Sequence, residues 1–438
     1  MTQNGARGGN GKELSHTGGL VPPPFLKKLS LWLAIACSVA ILLSIAISQI
    51  LLALSLGILL LSGLPMRWPR ITIPLALFLG WMLVALAFSP DPQQGFAQVE
   101  KIYVFAMLLI VYSSVRQIAE AKWLIYLWIL VGTVTAGRGL VQFVGDVAGA
   151  KAAHMDFYHF YVASRISGFM SHWMTFSGQE LFILLIAISL VLFAPGLKRW
   201  IWLWMPCAAV VGTALILSET RSIWIAAIVS GVYLLWMWDK RSLLALPVAL
   251  GLIFLVAPSA VKQRVHSLTN PEKETDSNDH RWVVWRTGWE MIKAHPLVGV
   301  GPEEIRKPQV FYAYLPKDIR LPLPDGYYGH LHSIYIHYAA ECGVPAAIFL
   351  TAALLLALYD FSRAIRALPQ GRSDRKFLLH AASASVIATM VVGVFEKNLG
   401  DTEVLTMFLA IMCLGYLAIP DTAAAADIIR VSSNKINI

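Results

Sequence analysis

Residues 329–346, GHLHSIYIHYAAECGVPA, place His330, His332 and His337 within eight positions of one another. An imidazole can serve as a general base, a metal ligand or a proton-sensitive switch. If 330–341 is helical, His330 and His337 share a face and His332 stands about 140° from His337. No two of these histidines have the i,i+4 spacing of a zinc-binding HExxH helix, and the nearest carboxylates in sequence are Asp325 and Glu341. The spacing therefore argues against a metal. A general base and ordinary polar residues at a membrane surface both stay open, and spacing alone does not choose among the three rings.

The second set of candidates is cationic. In LILSETRSIWIA (215–226), Glu219 and Arg221 interrupt what is otherwise apolar sequence. A charge at that depth is expensive unless paired or hydrated, which makes it a functional candidate; the plain alternative is a Glu219–Arg221 pair capping a turn. In HRWVVWRTGWEMIKAHPLVGVG (280–301), Arg281, Trp285, Trp289 and Ile292 recur at helical spacing, as on an amphipathic helix lying on a membrane. Arg281 opens the apolar face. Arg286 lies about 140° around the helix and has Glu290 at i+4 as an exposed partner, so Arg281 ranks above it. The GVG run lacks a preceding strand and a following Lys-Ser/Thr, and is weak as a phosphate loop. Arg165, in RISGFMSHW (165–173), and Arg138, within an apolar run, are further lone cations; snorkelling or hydration near the surface is the plain reading of both. Several arginines and one base on the same membrane face suit a lipid-linked pyrophosphate, whose oxygens arginine forks can hold without a metal.

The elements that must position these groups are apolar. The chain has 438 residues, 57% hydrophobic and 14% charged, with a mean hydropathy of +0.63; soluble domains carry about 25% charged residues. The apolar blocks are about as long as a helix needs to cross a bilayer, so the backbone must be helical where it meets lipid. The expected fold class is an all-α polytopic membrane protein. Spans are expected near 29–46, 48–64, 71–88, 101–117, 123–144, 173–194, 200–217, 222–238, 242–258, 344–361, 377–394 and 403–419, with Ser48-Gln49 as the turn between the first two. Basic residues flanking spans favour the cytoplasm. Arg7, Lys12, Lys27 and Lys28 precede the first pair and Arg67 and Arg70 follow it, so the chain crosses twice there and about twelve times in all. Arg116/Lys122, Lys198/Arg199, Lys240/Arg241 and the 363–376 cluster fall on the same side. Asp91, Glu100, Asp146, Asp156, Glu396, Asp401 and Glu403 fall opposite.

This alternation accounts for much of the formal charge of +9; no basic tract with interleaved aromatics points to nucleic acid. Both termini are expected in the cytoplasm, with Lys27-Lys28 flanking an uncleaved anchor. The expected division is a disordered tail at 1–28, nine spans over 29–258, an external loop at 259–343, three spans over 344–419 and a tail at 420–438. A loop of that length should hold helices of its own and carry function. A shorter external loop is expected over about 146–171. The four cysteines, in or beside apolar runs without ligand or redox spacing, are expected to be small buried residues.

The pattern His332-Ser333, nine residues, Gly343-Val-Pro-Ala346, together with TRSIW, RWVVW…HPLVGVG and the large late loop, resembles the signature of bacterial O-antigen ligases and the related protein O-oligosaccharyltransferases. Ser333 stands where Asn is commonest, and Ala346 where Gly, Thr or Tyr is frequent. The resemblance covers 165–346 by motif and the whole chain by topology. It implies a GT-C-type glycosyltransferase in the bacterial inner membrane, acting at the periplasmic face without cofactor or metal. Its donor would be an O-antigen glycan on undecaprenyl pyrophosphate, and its acceptor a sugar hydroxyl of the lipid A–core. It further implies His332 as the base activating that hydroxyl, Arg221 and Arg281 holding the pyrophosphate, and Arg165, Arg286 and Arg138 as weaker donor contacts. Ser333, His330, His337, Glu219 and Gly343 would support them, with His330 and His337 beside the base or at the interface. Attack opposite the pyrophosphate would invert the anomeric carbon. Protein O-oligosaccharyltransferases commonly carry a further C-terminal region, and the short stretch after the last span favours the ligase. An O-antigen polymerase fits the His332–Gly343 signature less well. A lipid-linked glycan transporter would need paired broken helices near the midplane.

Overall fold

The computed structural model describes residues 24–196, 200–267, 278–321, 323 and 329–420. Both chain ends, Lys198, Arg199 and Asp325 lie outside them. The described chain is helical, without strands. Eighteen α-helices follow one another. The first five are α1 (Pro24–Ala40), α2 (Ile45–Leu61), α3 (Thr72–Ala87), α4 (Pro92–Glu100) and α5 (Ala106–Ser114), a 3-10 turn joining the last two. Then come α6 (Ile118–Ala152), α7 (Phe157–Ser164), α8 (Trp173–Phe193), α9 (Ile201–Leu217), α10 (Arg221–Trp238) and α11 (Leu246–Val256). The long loop holds α12 (Ser259–His266), α13 (Asn278–Ala294), α14 (Pro308–Ala313) and α15 (Ile334–Cys342). The chain returns through α16 (Val344–Ala367), α17 (Asp374–Phe395) and α18 (Thr402–Ala418).

All twelve apolar segments are helical over most of their length. Among the described residues, six helical stretches have the length and apolarity to cross a membrane, and four shorter apolar helices accompany them. This is the build of a polytopic membrane protein. Several helices of the bundle start at side-chain caps or prolines. Asp91 accepts from Gln94 N at 3.2 Å ahead of Pro92, and Ser373 accepts from Lys376 N at 3.1 Å. Gln117 and Glu120 form a capping box.

Two boundaries differ from those expected. The break between α1 and α2 falls at 41–44, where Ser44 caps α2. Ser48 is not the turn; its hydroxyl reaches back to the Cys37 carbonyl at 3.0 Å and stitches the two helices together. The external loop expected from 146 begins only after Ala152, because α6 runs on for 35 residues and keeps Asp146 within its last turns.

The basic flanks gather at one end of the bundle. There Arg70 meets Asp360 at 2.7 Å, Lys122 meets Asp374 at 2.9 Å, and Arg375 donates to the Ala418 carbonyl at 3.1 Å. The α8 start, the α9–α10 turn, the α17 end and the α18 start share the opposite end. α8 and α17 are the most enclosed of the six long apolar stretches and pack on each other, Ser189 donating to the Phe377 carbonyl at 2.8 Å. All four cysteines are buried and free.

The long loop has its own small core, in which Val284, Met291, Ile305, Phe311, Leu331 and Ala340 pack together. The buried side of α13 is Val283, Val284, Thr287, Met291 and Ile292. Trp289, read from the sequence as sharing a face with Ile292, is 58% exposed beside Trp282 at 63%, while Ile292 turns into the loop core. The turn after α13 lies on the α15–α16 junction. Val300 N donates to Ala340 O at 2.8 Å, Gly301 N to Glu341 O at 3.0 Å and Val344 N to Pro296 O at 2.8 Å. Gly343 makes this approach possible. Its φ is +87°, and a Cβ there would lie 1.8 Å from the Leu297 carbonyl oxygen.

Gly343→Ala is therefore expected to destabilise the fold by on the order of 2 kcal/mol or more, since strain and a backbone clash coincide. Thermal unfolding in detergent measures this. Gly57→Ala, which meets nothing within 4 Å, should melt like the parent; equal melting of the two variants would refute the close-approach account.

Candidate functional site

His332 is the residue immediately before the cap of α15, and its backbone is left-handed, with φ +47°. Such a conformation is uncommon outside glycine and persists only where the surroundings hold it. Several contacts do so. Ser333 Oγ does not cap α15 but donates to the Gly393 carbonyl near the end of α17, at 3.2 Å. Tyr335 OH donates to the Met390 carbonyl at 3.0 Å, and Trp285 of α13 approaches the His332 carbonyl with its indole N–H at 3.4 Å. The ring is thus carried from the loop onto the end of a membrane helix.

There it meets Glu396, the C-cap of α17. His332 Nδ1 lies 3.3 Å from Glu396 Oε2, and Arg281 Nη2 contacts the other carboxylate oxygen. Glu396 is 2% exposed. One buried carboxylate is therefore shared between an arginine and an imidazole that lie 51 positions apart on the loop. A carboxylate accepting from Nδ1–H leaves Nε2 as the basic nitrogen. Two more rings surround this one. His330 lies 4.1 Å away centroid to centroid, and its Nδ1 accepts the His332 backbone N–H at 3.4 Å. His280 stands edge-on at 5.7 Å. Burial first, and then the neighbouring imidazoles and cations, push His330 down to about 2 and His280 down to about 4. Both rings are therefore neutral at neutral pH.

His337 is not at the interface. It is completely buried, with Nε2 3.0 Å from Glu341 one turn on, and burial holds it below its ordinary value. It belongs to the packing of α15 under the 295–301 turn rather than to the ring cluster.

A polar cavity of about 390 Å³ opens beside this cluster. His330 and Glu396 form part of its wall, Thr220 and Ser222 another part, and His172, Lys101, Lys397, Asp401, Arg306 and Glu403 are among the rest. Burial, and next Arg165, lower His172, while burial raises Asp401. Arg221, the first residue of α10, lies between the two wall residues Thr220 and Ser222; it is 8% exposed, with Nη1 3.4 Å from Ser267 Oγ.

Behind this wall lies a cluster that sequence spacing only half disclosed. Arg264 of α12 donates to the Glu219 carbonyl at 3.2 Å and to Tyr158 OH at 3.4 Å. Arg165 sits over the Trp173 ring at 5.0 Å, and burial followed by the Arg264 charge lowers it to about 10. Glu219 is not paired with Arg221. Its backbone is left-handed, with φ +50°, and its carboxylate is fully buried without a hydrogen-bond partner. Burial raises it to about 7 against the pull of Arg165 and Arg264.

The remaining arginines stand apart. Arg286 is paired with Asp318, at 2.7 and 2.9 Å through both guanidinium nitrogens. Its expected partner Glu290 binds Lys293 at 2.6 Å instead, because the 316–319 turn brings a better-aligned carboxylate. Arg138 donates to the Gly168 carbonyl at 2.8 Å and stacks on Phe169; it shapes the 165–172 turn. The residues missed from sequence are Glu396, His280, Arg264, Lys101 and Lys397. The EKNLGD run at 396–401, polar between two apolar spans, was the available signal for two of them.

An all-helical, multi-pass membrane protein with a helical loop folded over one end of its bundle is thus the class. A family model described as O-antigen ligase matches residues 206–351, about a third of the chain, from within α9 through the loop into the start of α16. No curated protein matches the chain.

If Glu219 is held as described, the folded chain grips its proton more tightly than the unfolded chain does. The stability this group contributes is complete below about 4.5 and is lost as pH rises through about 7. Thermal melts across that window should show the parent losing stability relative to Glu219→Gln as pH rises; parallel curves would contradict the buried carboxylate.

Proposed function

We propose that the protein is an O-antigen ligase. It would transfer O-antigen glycan from undecaprenyl pyrophosphate to a sugar hydroxyl of the lipid A–core, within a GT-C-like bundle of about twelve spans. The observation that carries this reading is the shared carboxylate: Glu396, part of the wall of a polar cavity, joins His332 to Arg281, and Thr220 and Ser222 of the Arg221 turn line the same cavity. A base and cationic groups gathered around the wall of one polar space suit an acceptor hydroxyl and a leaving pyrophosphate. The basic end of the bundle would face the cytoplasm, leaving the cavity at the periplasmic surface of the inner membrane and both termini in the cytoplasm.

In this reading the acceptor oxygen bonds to the anomeric carbon while its proton passes to His332 Nε2. The bond from that carbon to the pyrophosphate oxygen breaks on the opposite face, inverting the centre, and the leaving group departs with the electron pair. Glu396 holds the imidazole tautomer and stabilises the imidazolium. Arg221 and Arg281 offset charge on the departing pyrophosphate, with Arg165 and Arg264 adding field from behind. His330 and His280, kept neutral, can accept or donate hydrogen bonds to sugar hydroxyls without adding charge. Arg286 and Arg138 act on the loop and the 165–172 turn, and reach the donor only through them.

Purified protein given lipid-linked glycan should glycosylate core lipid and leave a Ser/Thr peptide unmodified. His332→Ala should slow transfer by about 10² to 10⁴, and Arg221→Ala by about 10² or more, with both proteins inserted normally. Transfer to the peptide alone would move the reading to a protein O-oligosaccharyltransferase, and extension of the donor glycan to a polymerase. Full activity in both variants would remove these residues from the mechanism.

A further inference from the structure

The cavity has a second charged side, where lysines stand among Asp401 and Glu403, that the reaction described above does not use. Lys101, at the head of the 3-10 turn between α4 and α5, and Lys397, just after α17, both line it. Lys101 donates to the Gly400 carbonyl at 3.1 Å, and Lys397 stands over the Tyr338 ring at 5.9 Å. Neither lysine is in an ion pair among the described residues.

The same two lysines line a second space, and this one is apolar. It runs down from them between α3, α16 and α18, walled by Met82, Phe78, Leu75, Leu354 and Phe408 and ending at Ile71. From Met82 to Ile71 is eleven residues of chain, nearly all helix, or about 16 Å, roughly half the hydrocarbon thickness of a bilayer. The slot is narrow, about 50 Å³ as it stands. Met82, Leu75 and Leu354 in its walls have side chains that move by rotamer changes. A polar mouth with two ammonium groups above an apolar slot running into the membrane has the chemistry of one ligand class.

We propose that Lys101, Lys397 and this slot bind a phosphate-headed lipid, its phosphate between the two lysines and its chain along α3. The lysines line the same cavity as Thr220 and Ser222 of the Arg221 turn. Only the choice of source rests on the ligase reading: with the donor pyrophosphate at the arginines, the lysines would take the phosphate-bearing acceptor lipid. The two lipids would then meet at His332.

Native mass spectrometry of the purified full chain tests binding without any transfer assay, using phosphatidic acid, a polyprenyl phosphate and inorganic phosphate as probes. A phosphate-headed lipid should bind, inorganic phosphate should not, and the doubly substituted Lys101→Gln/Lys397→Gln chain should bind about tenfold more weakly. Leu354→Trp, filling the slot, should reduce lipid binding with the lysines intact, while Lys101→Arg/Lys397→Arg should retain it. Preference for phosphatidic acid assigns the site to an acyl lipid such as the acceptor. Preference for the polyprenyl phosphate assigns it to the donor; the lipid site stands in either case. Lipid binding that is unchanged in both the glutamine and tryptophan variants would overturn the proposal, whatever becomes of the ligase reading.

Discussion

A single buried carboxylate carries the geometry of the site. Glu396 ends a membrane helix, while Arg281 and His332 belong to a loop with its own core, and the two bodies meet through this group. At 2% exposure the carboxylate has lost most of its hydration, so it must be matched by charge and hydrogen bonds. Removing one partner from such a buried pair typically costs about 3–5 kcal/mol. The ion pair therefore fixes where the loop sits. The same constraint explains the left-handed backbone of His332: the ring has to face α17 while the chain turns into α15, and the stitches from Ser333 and Tyr335 hold it there.

A second constraint is steric. Gly343 and Gly299 let the turn after α13 lie directly on the α15–α16 junction, where any Cβ would collide with backbone. Arg281 at the start of α13 and His332 ahead of α15 are thereby held in one register, with Leu331 packed in the core between the helices. The nine-residue gap between Ser333 and Gly343 is then the length of α15 itself. A motif that looks like scattered letters is one helix with a base before it and a close contact after it.

The apolar segments were legible because length and hydropathy report directly on a solvent of fixed thickness. The charge alternation was legible for the same reason, and the basic flanks do gather at one end. The first turn was misplaced because Ser48 looks like a loop residue in sequence but bonds a carbonyl between two packed helices. Glu396 was visible only as one more acid in a short loop, since its partners lie 64 and 115 positions away. Arg264 was hidden similarly, as a basic residue on an unremarkable short helix. Trp289 and Ile292 share a face by period yet differ in burial, because the helical period names a face without naming what covers it. Pairings across the fold are set by tertiary packing, and local spacing does not contain them.

The central claim is that Glu396 acts on the reaction chiefly by orienting His332. The most direct measurement is the transfer rate of Glu396→Gln, His332→Ala and the double variant, each compared with the parent protein. The account predicts that Glu396→Gln slows the parent strongly yet adds much less once His332 is gone, because residues acting as one unit are not additive. Full multiplication of the two effects would show that Glu396 serves the reaction independently of the imidazole, and would contradict the account.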